Sequence, residues 1–390
     1  MVGRSPELVA RMLPHATSVF GQMSALAART GAINLGQGYP DTDGPDELKA
    51  IACQAISDGR GNQYPPAHGL PQLRDAIAAH QQRWYGLSVD PADGVVVGTG
   101  ASEILAAALL ALLEPGDEVL VFEPWFDIYA AGIALAGGVR VSVPLVAPAF
   151  RPDLAALRAA VTARTRLILL NSPHNPTGVV FTAAELTEIA RIAVDHDLLV
   201  VSDEAYEHLW FDEHRHIPIA TLPGMAERTL TVGSGGKSFS FTGWKVGWGS
   251  GPADLVGAVR VVRQHLSYVS GGPFQWAMAA GLELPDSYFE NLRASLQSRR
   301  DLFCDGLTGL GLPVEQPQGT YFVTTDVRPL GYDDGVAFCD ELPERAGVAA
   351  IPVRVLCDDP EVAATTVRWT FCKRPEVLTT ALDRLRAAFG

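Results

Sequence analysis

The chain is predicted to be an α/β protein, with a mostly parallel central sheet flanked by helices and a smaller α+β domain after it. Three observations carry this expectation. Apolar runs of strand length recur between Val95 and Val232 and alternate with helical segments. The runs are unbroken rather than alternating, as in strands covered on both faces. Beyond residue 275 the order becomes helix, strands, helix, which points to a second, smaller unit.

In chain order, residues 1–32 read as an arm with a short helix at 18–29, residues 33–275 as the large domain and residues 276–390 as the small one. Val95-Val-Val97 leads through Gly98-Thr-Gly100 into a helix at 101–113. Glu118-Val-Leu-Val-Phe122 is a strand, followed by Glu123-Pro-Trp-Phe-Asp127 and an alanine-rich helix. Val139–Val143 is another strand. Arg166-Leu-Ile-Leu-Leu170 runs into Asn171-Ser-Pro-His-Asn-Pro-Thr-Gly178. A helix at 183–196 begins with Thr182 and Glu185 spaced as a capping box. Leu198-Leu-Val-Val-Ser202 ends at Asp203, and Thr229-Leu-Thr-Val232 ends at a small-residue loop around Lys237. Helices at 274–282 and 287–310 follow. Strand-like runs then occur at Gly319–Val323, Val348–Ile351 and Val367–Phe371, before a last helix from Pro375.

A length of 390 residues favours two domains over one core, and 47% hydrophobic with 19% charged residues fits a compact fold. The net charge of -14 argues against a nucleic-acid surface and against acidic membranes. The cysteines (Cys53, Cys304, Cys339, Cys357, Cys372) are odd in number and none is spaced as C-x-x-C. No disulfide framework or metal site is expected, and a reducing cytoplasm fits best. Met1–Glu7 carries no apolar signal-peptide core, and the apolar run at 104–113 is too short to span a bilayer.

In parallel sheets ligands bind beyond the carboxyl ends of the strands. Gly100, Phe126, Asn175, Asp203 and Lys237 all follow such ends. Lys237 sits among Ser234, Gly235, Gly236 and Ser238, where small neighbours leave room for a ligand. A desolvated lysine becomes a nucleophile toward carbonyls, so Lys237 is expected to hold pyridoxal 5'-phosphate as a Schiff base. That cofactor also needs a carboxylate at its ring nitrogen, for which Asp203 is the candidate. Asp203 taken alone reads more readily as a helix N-cap before Glu204. Tyr206 and Asn175 are candidates for the phenolic oxygen, and Phe126 for the ring face. Gly100-Ala101-Ser102 opens a helix whose backbone N–H groups suit a phosphate, with Ser234 and Lys245 as further donors. Arg368 lies in the apolar strand pattern Val367, Trp369, Phe371. It is either a buried anion clamp or a residue on an exposed face, opposite Val367 and Trp369.

With these residues in place, the chain resembles class I/II, fold type I aminotransferases, within them the kynurenine aminotransferase / cysteine-conjugate β-lyase branch and the actinobacterial N-succinyldiaminopimelate aminotransferases. The resemblance runs from Asn34-Leu-Gly-Gln-Gly-Tyr-Pro-Asp41 through Asn62-Gln-Tyr-Pro65, Asn171–Gly178, Asp203-Glu-Ala-Tyr206, Leu222-Pro-Gly-Met225, Gly233–Trp248 and Gly319-Thr-Tyr-Phe322 to Phe371-Cys-Lys373. It implies Lys237 as Schiff-base lysine and proton shuttle, and the roles above for Asp203, Tyr206, Asn175 and Phe126. Ser234 and Lys245 would bind phosphate, Lys245 standing where many relatives carry arginine. Arg368 would bind the substrate α-carboxylate, with Gly38 contributing backbone nearby. It further implies a homodimer in which Tyr64 reaches the other subunit's phosphate and Tyr268 also lies at the interface, and an N-terminal arm that joins the small domain.

Tyr39, Trp125 and Tyr268 are expected near the substrate side chain. The 266–272 loop holds no arginine for a second carboxylate of the aspartate type. Arg328-Pro-Leu-Gly-Tyr-Asp-Asp334 and Gly347-Val-Ala-Ala-Ile-Pro352 favour the N-succinyldiaminopimelate branch, with 2-oxoglutarate or pyruvate as acceptor. The alternative is a kynurenine, glutamine, methionine or aromatic aminotransferase, or a cysteine-S-conjugate β-lyase.

Overall fold

The computed structural model describes residues 8–390, so Met1–Glu7 of the arm lies outside the described residues. The centre is an eight-stranded sheet in the spatial order Val95–Thr99, Val246–Ser250, Thr229–Ser234, Leu199–Asp203, Thr165–Asn171, Glu118–Glu123, Val139–Val146, Arg151–Pro152. The strands from Thr229–Ser234 to Val139–Val146 are mutually parallel. Val246–Ser250 is antiparallel to both of its neighbours, and Arg151–Pro152 runs antiparallel to Val139–Val146 at the edge.

The unbroken apolar runs have the expected cause. Leu120, Ile168 and Val200 pack on one face against the Ala183–Asp195 helix, whereas Val121, Leu169 and Val201 pack on the other against the Ala101–Leu112 and Ala253–Leu266 helices. Period-two alternation thus places every second residue in a different core. Thr182 and Glu185 form the anticipated capping box. A third core joins the helices Asp46–Ser57, Pro71–Tyr85 and Gly272–Leu282 to Val95, Val97 and Trp248.

The C-terminal part builds a three-stranded sheet, Phe322–Asp326, Thr366–Thr370, Ile351–Pro352, backed by the long helix Asp286–Thr308 and the last helix Pro375–Phe389. Met23 and Leu35 from the N-terminal side enter the same core.

Three local expectations are corrected. The Val348–Ile351 run is two strands. Val348–Ala349 pairs with Ile33–Asn34, and Ile351–Pro352 pairs with Thr366–Thr370. A fully buried run carries no alternation, so the change of partner at Ala350 leaves no trace in its pattern. The Gly319–Val323 run starts its strand only at Phe322, because Thr320 has φ 63°. The lysine segment is not a loop but a single helical turn, Gly235–Ser238.

Candidate active site

The carboxyl ends of the parallel strands open on a cavity of about 340 Å³. Asn171 and Asp203 end adjacent strands in register, and Ser234 ends the next. The helical turn after Ser234 then carries Lys237 to the cavity. Most of the sequence-derived residues meet here: Gly38, Gly100, Ala101, Ser102, Phe126, Asn175, Asp203, Tyr206, Ser234, Lys237, Lys245 and Arg368 all line it.

Lys237 Nζ donates to the Tyr321 hydroxyl at 2.8 Å and to the Gly38 carbonyl at 3.2 Å. Burial pulls its pKa down to about 8, so the amine gives up its proton more readily than a free lysine does. Asp203 is buried. Its Oδ2 accepts from the Tyr129 hydroxyl at 2.7 Å and its Oδ1 from the Ala205 N–H at 3.1 Å. No helix begins at Glu204, which removes the N-cap alternative. Burial pushes the Asp203 carboxyl up, more than these donors and Lys237 pull it down. Among the described residues no cation lies at ion-pair distance from Asp203 (the ion pairs are elsewhere), so a cationic ligand group there would be favoured.

Arg368 is 1% exposed, which resolves the open alternative. Alternation does turn it away from Val367 and Trp369, but its own face is covered as well: its guanidinium lies 4.0 Å from the Phe322 ring centre and 4.8 Å from that of Phe20. Nη1 donates to Asn175 Oδ1 at 2.8 Å and Nη2 to the Gly36 carbonyl at 2.5 Å, while Nε is buried without a partner. Burial lowers its pKa to about 10. A buried guanidinium with an orphaned N–H and, among the described residues, no carboxylate partner is suited to an anionic ligand. Asn175 is itself held by its N–H on Asn171 Oδ1 at 2.8 Å.

The anion cradle is equally specific. Gly100 has φ 78°, and a Cβ there would lie 3.1 Å from Lys245 Cε and Nζ. A Cβ on Gly247 would lie 2.3 Å from the Ala101 nitrogen. Both glycines let the N-terminus of Ala101–Leu112 approach the Val246–Ser250 strand, with the exposed Lys245 beside it. Backbone N–H groups and a lysine on one side suit a phosphate.

Four residues stand elsewhere. Trp125 is corrected: it is buried in the core under the Arg140 guanidinium, 4.0 Å from its ring centre, and does not line the cavity. Tyr39 is exposed, with Lys373 Nζ 3.7 Å from its ring centre. Tyr64 and Tyr268 are 79% and 45% exposed and meet edge to face, 5.6 Å between centroids. None of the three lines the cavity of the single chain.

Sequence reasoning missed Tyr129, Tyr321, Asn171 and Phe20. Asn171 and Tyr321 lay inside motifs already noted, and Asn171 ends a strand as Asp203 does. Tyr129 and Phe20 carry no local signal, since each looks like an ordinary helix-face aromatic.

The model of the family described as aminotransferase class I and II matches residues 30–385. The structure of N-succinyldiaminopimelate aminotransferase from Mycobacterium tuberculosis superposes with a TM-score of 0.96 at 52% identity, covering 98% of this chain and 100% of that one. Methionine aminotransferase of Escherichia coli is 39% identical over 95% of both chains. A kynurenine–oxoglutarate transaminase of Dictyostelium discoideum is 37% identical, covering 94% of this chain and 93% of its own. The half-buried lysine, the strand-end carboxylate and the clamped arginine thus stand within a fold shared along its whole length with amino-group transferases, and the chain belongs to the class I and II aminotransferase family, as an enzyme that transfers amino groups.

Proposed function

We propose that this enzyme is a pyridoxal-phosphate-dependent aminotransferase that takes the amino group of N-succinyl-LL-2,6-diaminopimelate and passes it to 2-oxoglutarate. One observation carries the cofactor reading: a half-buried lysine whose amine is desolvated, a buried carboxylate without a cation and an anion cradle face one cavity. These are the three groups that pyridoxal phosphate requires. Lys237 would attach it, Asp203 would hold its ring nitrogen, Tyr206 and Asn175 would face its phenolic oxygen, and Phe126 its ring. Gly100, Ala101, Ser102, Ser234 and Lys245 would hold its phosphate. Bound there, the cofactor supplies an electron sink for the pair left at the substrate Cα.

The chain's own residues do the rest. Arg368, fixed by Asn175 and Gly36, takes the α-carboxylate and so orients Cα toward Lys237. Lys237 Nζ, held at the cavity wall, would take the proton from Cα and serve as the general acid that returns it. Tyr129 keeps the Asp203 carboxylate directed into the site. The substrate assignment rests on the 52% likeness to the Mycobacterium tuberculosis enzyme. A second reading, methionine or kynurenine as donor, is favoured by the aromatic rim of Tyr39 and Tyr268 and by the likeness to the relatives named for those substrates.

The same reading includes a homodimer. Tyr64 and Tyr268 form an exposed aromatic pair suited to a neighbouring subunit, where Tyr64 would reach the phosphate. It also includes the arm 1–32 and the segment 276–390 as the small domain over the large domain 33–275. The core that unites Met23 with Phe303, Trp369 and Leu382 supports the arm joining the C-terminal part, whereas Ala277, Met278, Leu282 and Phe289 pack with Leu48, Leu73 and Val97 and so favour a boundary beyond residue 289. A cytoplasmic location agrees with five unpaired cysteines. Among the described residues no helix is long and apolar enough to cross a membrane.

The test is a donor panel with 2-oxoglutarate. N-succinyl-diaminopimelate should give the highest kcat/KM. Faster turnover of methionine or kynurenine would replace the first reading by the second.

A further inference from the structure

We propose that Tyr321 is a positioning residue for Lys237: its phenol oxygen, fixed on the Gly38 carbonyl, is the rest position of the lysine amine whenever that amine is not joined to cofactor. The proposal rests on Lys237 being the attachment point.

The geometry is a closed set of three contacts. Tyr321 donates its hydroxyl proton to the Gly38 carbonyl at 2.7 Å. Lys237 Nζ donates to the Tyr321 oxygen at 2.8 Å and to the same carbonyl at 3.2 Å. With its proton committed to Gly38, the phenol meets the amine with its lone pairs and acts as an acceptor. Two amine hydrogens are thereby engaged, and the nitrogen is held at one point of the cavity wall.

The backbone around Tyr321 is built to hold it there. Thr320 is β-branched, wholly buried and has φ 63°, a conformation such residues rarely adopt. Its N–H donates to the Leu209 carbonyl at 2.8 Å, and its hydroxyl accepts from the Phe322 N–H at 3.1 Å. A Cβ on the preceding Gly319 would lie 2.7 Å from the same Leu209 carbonyl. Strain of this kind persists only where the surroundings over-determine it, and it clusters where a side chain must be aimed. The Tyr321 ring is 1% exposed and locked edge-on against Tyr206 and Phe322, at 5.3 and 4.9 Å between centroids. A separate cavity of about 50 Å³, bordered by Lys237, Tyr321 and Cys372, leaves the amine room on this side as well.

Other groups also act on the amine. Asp203 and Cys372 raise its basicity, while Arg368 and Lys245 lower it. The Tyr206 ring centre lies 5.6 Å away. None of these hydrogen-bonds Nζ, so among the described residues the position of the amine depends on Tyr321 and the Gly38 carbonyl.

The test uses Tyr321→Phe, which keeps the packed ring and removes the acceptor. Cofactor-free protein is mixed with pyridoxal phosphate across pH. Covalent capture is read from the visible absorbance band, then by borohydride reduction and peptide mass. In capture the Lys237 nitrogen bonds to the aldehyde carbon, and the aldehyde oxygen leaves as water. For the wild type, the capture rate should rise with a midpoint near pH 8, because the neutral amine is the nucleophile. In Tyr321→Phe the midpoint should fall by about one unit, since an acceptor that favours the ammonium form is lost. The limiting rate at high pH should fall about tenfold, since the amine is no longer held. With the loaded enzyme, kcat should fall about tenfold while KM stays within about twofold. A variant with the wild-type midpoint and limiting rate would overturn the proposal and leave the cofactor reading intact. A wild-type protein that captures nothing at Lys237 would overturn both.

Discussion

The wall of the cavity and its rim are built on opposite principles. On the wall, Asp203, Asn175 and Arg368 are all buried, and each is held by a named partner: Tyr129, Asn171 and the Gly36 carbonyl. The proposed rim, Tyr39, Tyr64 and Tyr268, lies outside the cavity lining of the single chain, is exposed and makes aromatic or cation–π contacts. Burial also shifts the charges of the wall in a useful direction. It makes the Lys237 amine easier to deprotonate, keeps Arg368 short of a counter-ion and leaves Asp203 in need of one. On the proposed reading the wall carries the groups that act at the substrate Cα, whereas the rim is left for substrate and a second subunit to complete. The reaction class should depend on the wall and the choice of donor on the rim.

Substitutions can break this contrast, and their expected effects form a descending series. Lys237→Ala should lower kcat by about 10⁴-fold and abolish the visible cofactor band, because it removes the attachment point and the proton carrier together. Arg368→Ala should lower kcat/KM for α-amino acids by about 10²- to 10³-fold in steady-state assays, since the α-carboxylate loses a desolvated guanidinium. Asp203→Asn should cost about 10²-fold in kcat with KM little changed, which a stopped-flow single turnover would assign to the proton-transfer step. Tyr64→Phe should weaken cofactor affinity by about tenfold, measured by titrating cofactor-free protein, with the donor preference unchanged. Trp125→Phe is the smallest: under Arg140 and away from the cavity, it should alter kcat/KM for every donor by less than about twofold. A change in donor preference with Trp125→Phe would return that residue to the substrate side and blur the division between wall and rim.

Much of this was legible in the chain because strand ends are legible. An apolar run that stops at Asn171, Asp203 or Ser234 marks both the end of a strand and the edge where ligands bind, so the same residues announce fold and site. Lys237 was readable from its small neighbours Ser234, Gly235, Gly236 and Ser238, and the cradle beside Lys245 from glycine: Gly100 and Gly247 allow a close approach that a Cβ would obstruct. What stayed hidden depended on contacts across long sequence separations. Tyr129 supports Asp203 from a helix 74 positions earlier, and its helix face looks like any other. Arg368 was ambiguous because alternation states which face a residue takes, not whether Phe20 and Phe322 cover that face. The switch of partners at Ala350 was hidden for the same reason. Trp125 misled because adjacency to Phe126 in sequence suggested adjacency in the site, whereas Trp125 is buried under Arg140 and only Phe126 lines the cavity.

The most direct measurement is the site of covalent capture. The purified protein is saturated with pyridoxal phosphate, reduced with borohydride, digested and examined by peptide mass spectrometry. The added mass should fall on Lys237 alone, with Lys245 unmodified and the Lys237→Ala protein blank. Stable modification at Lys245, or none at Lys237, would contradict the assignment of the wall as the reaction centre.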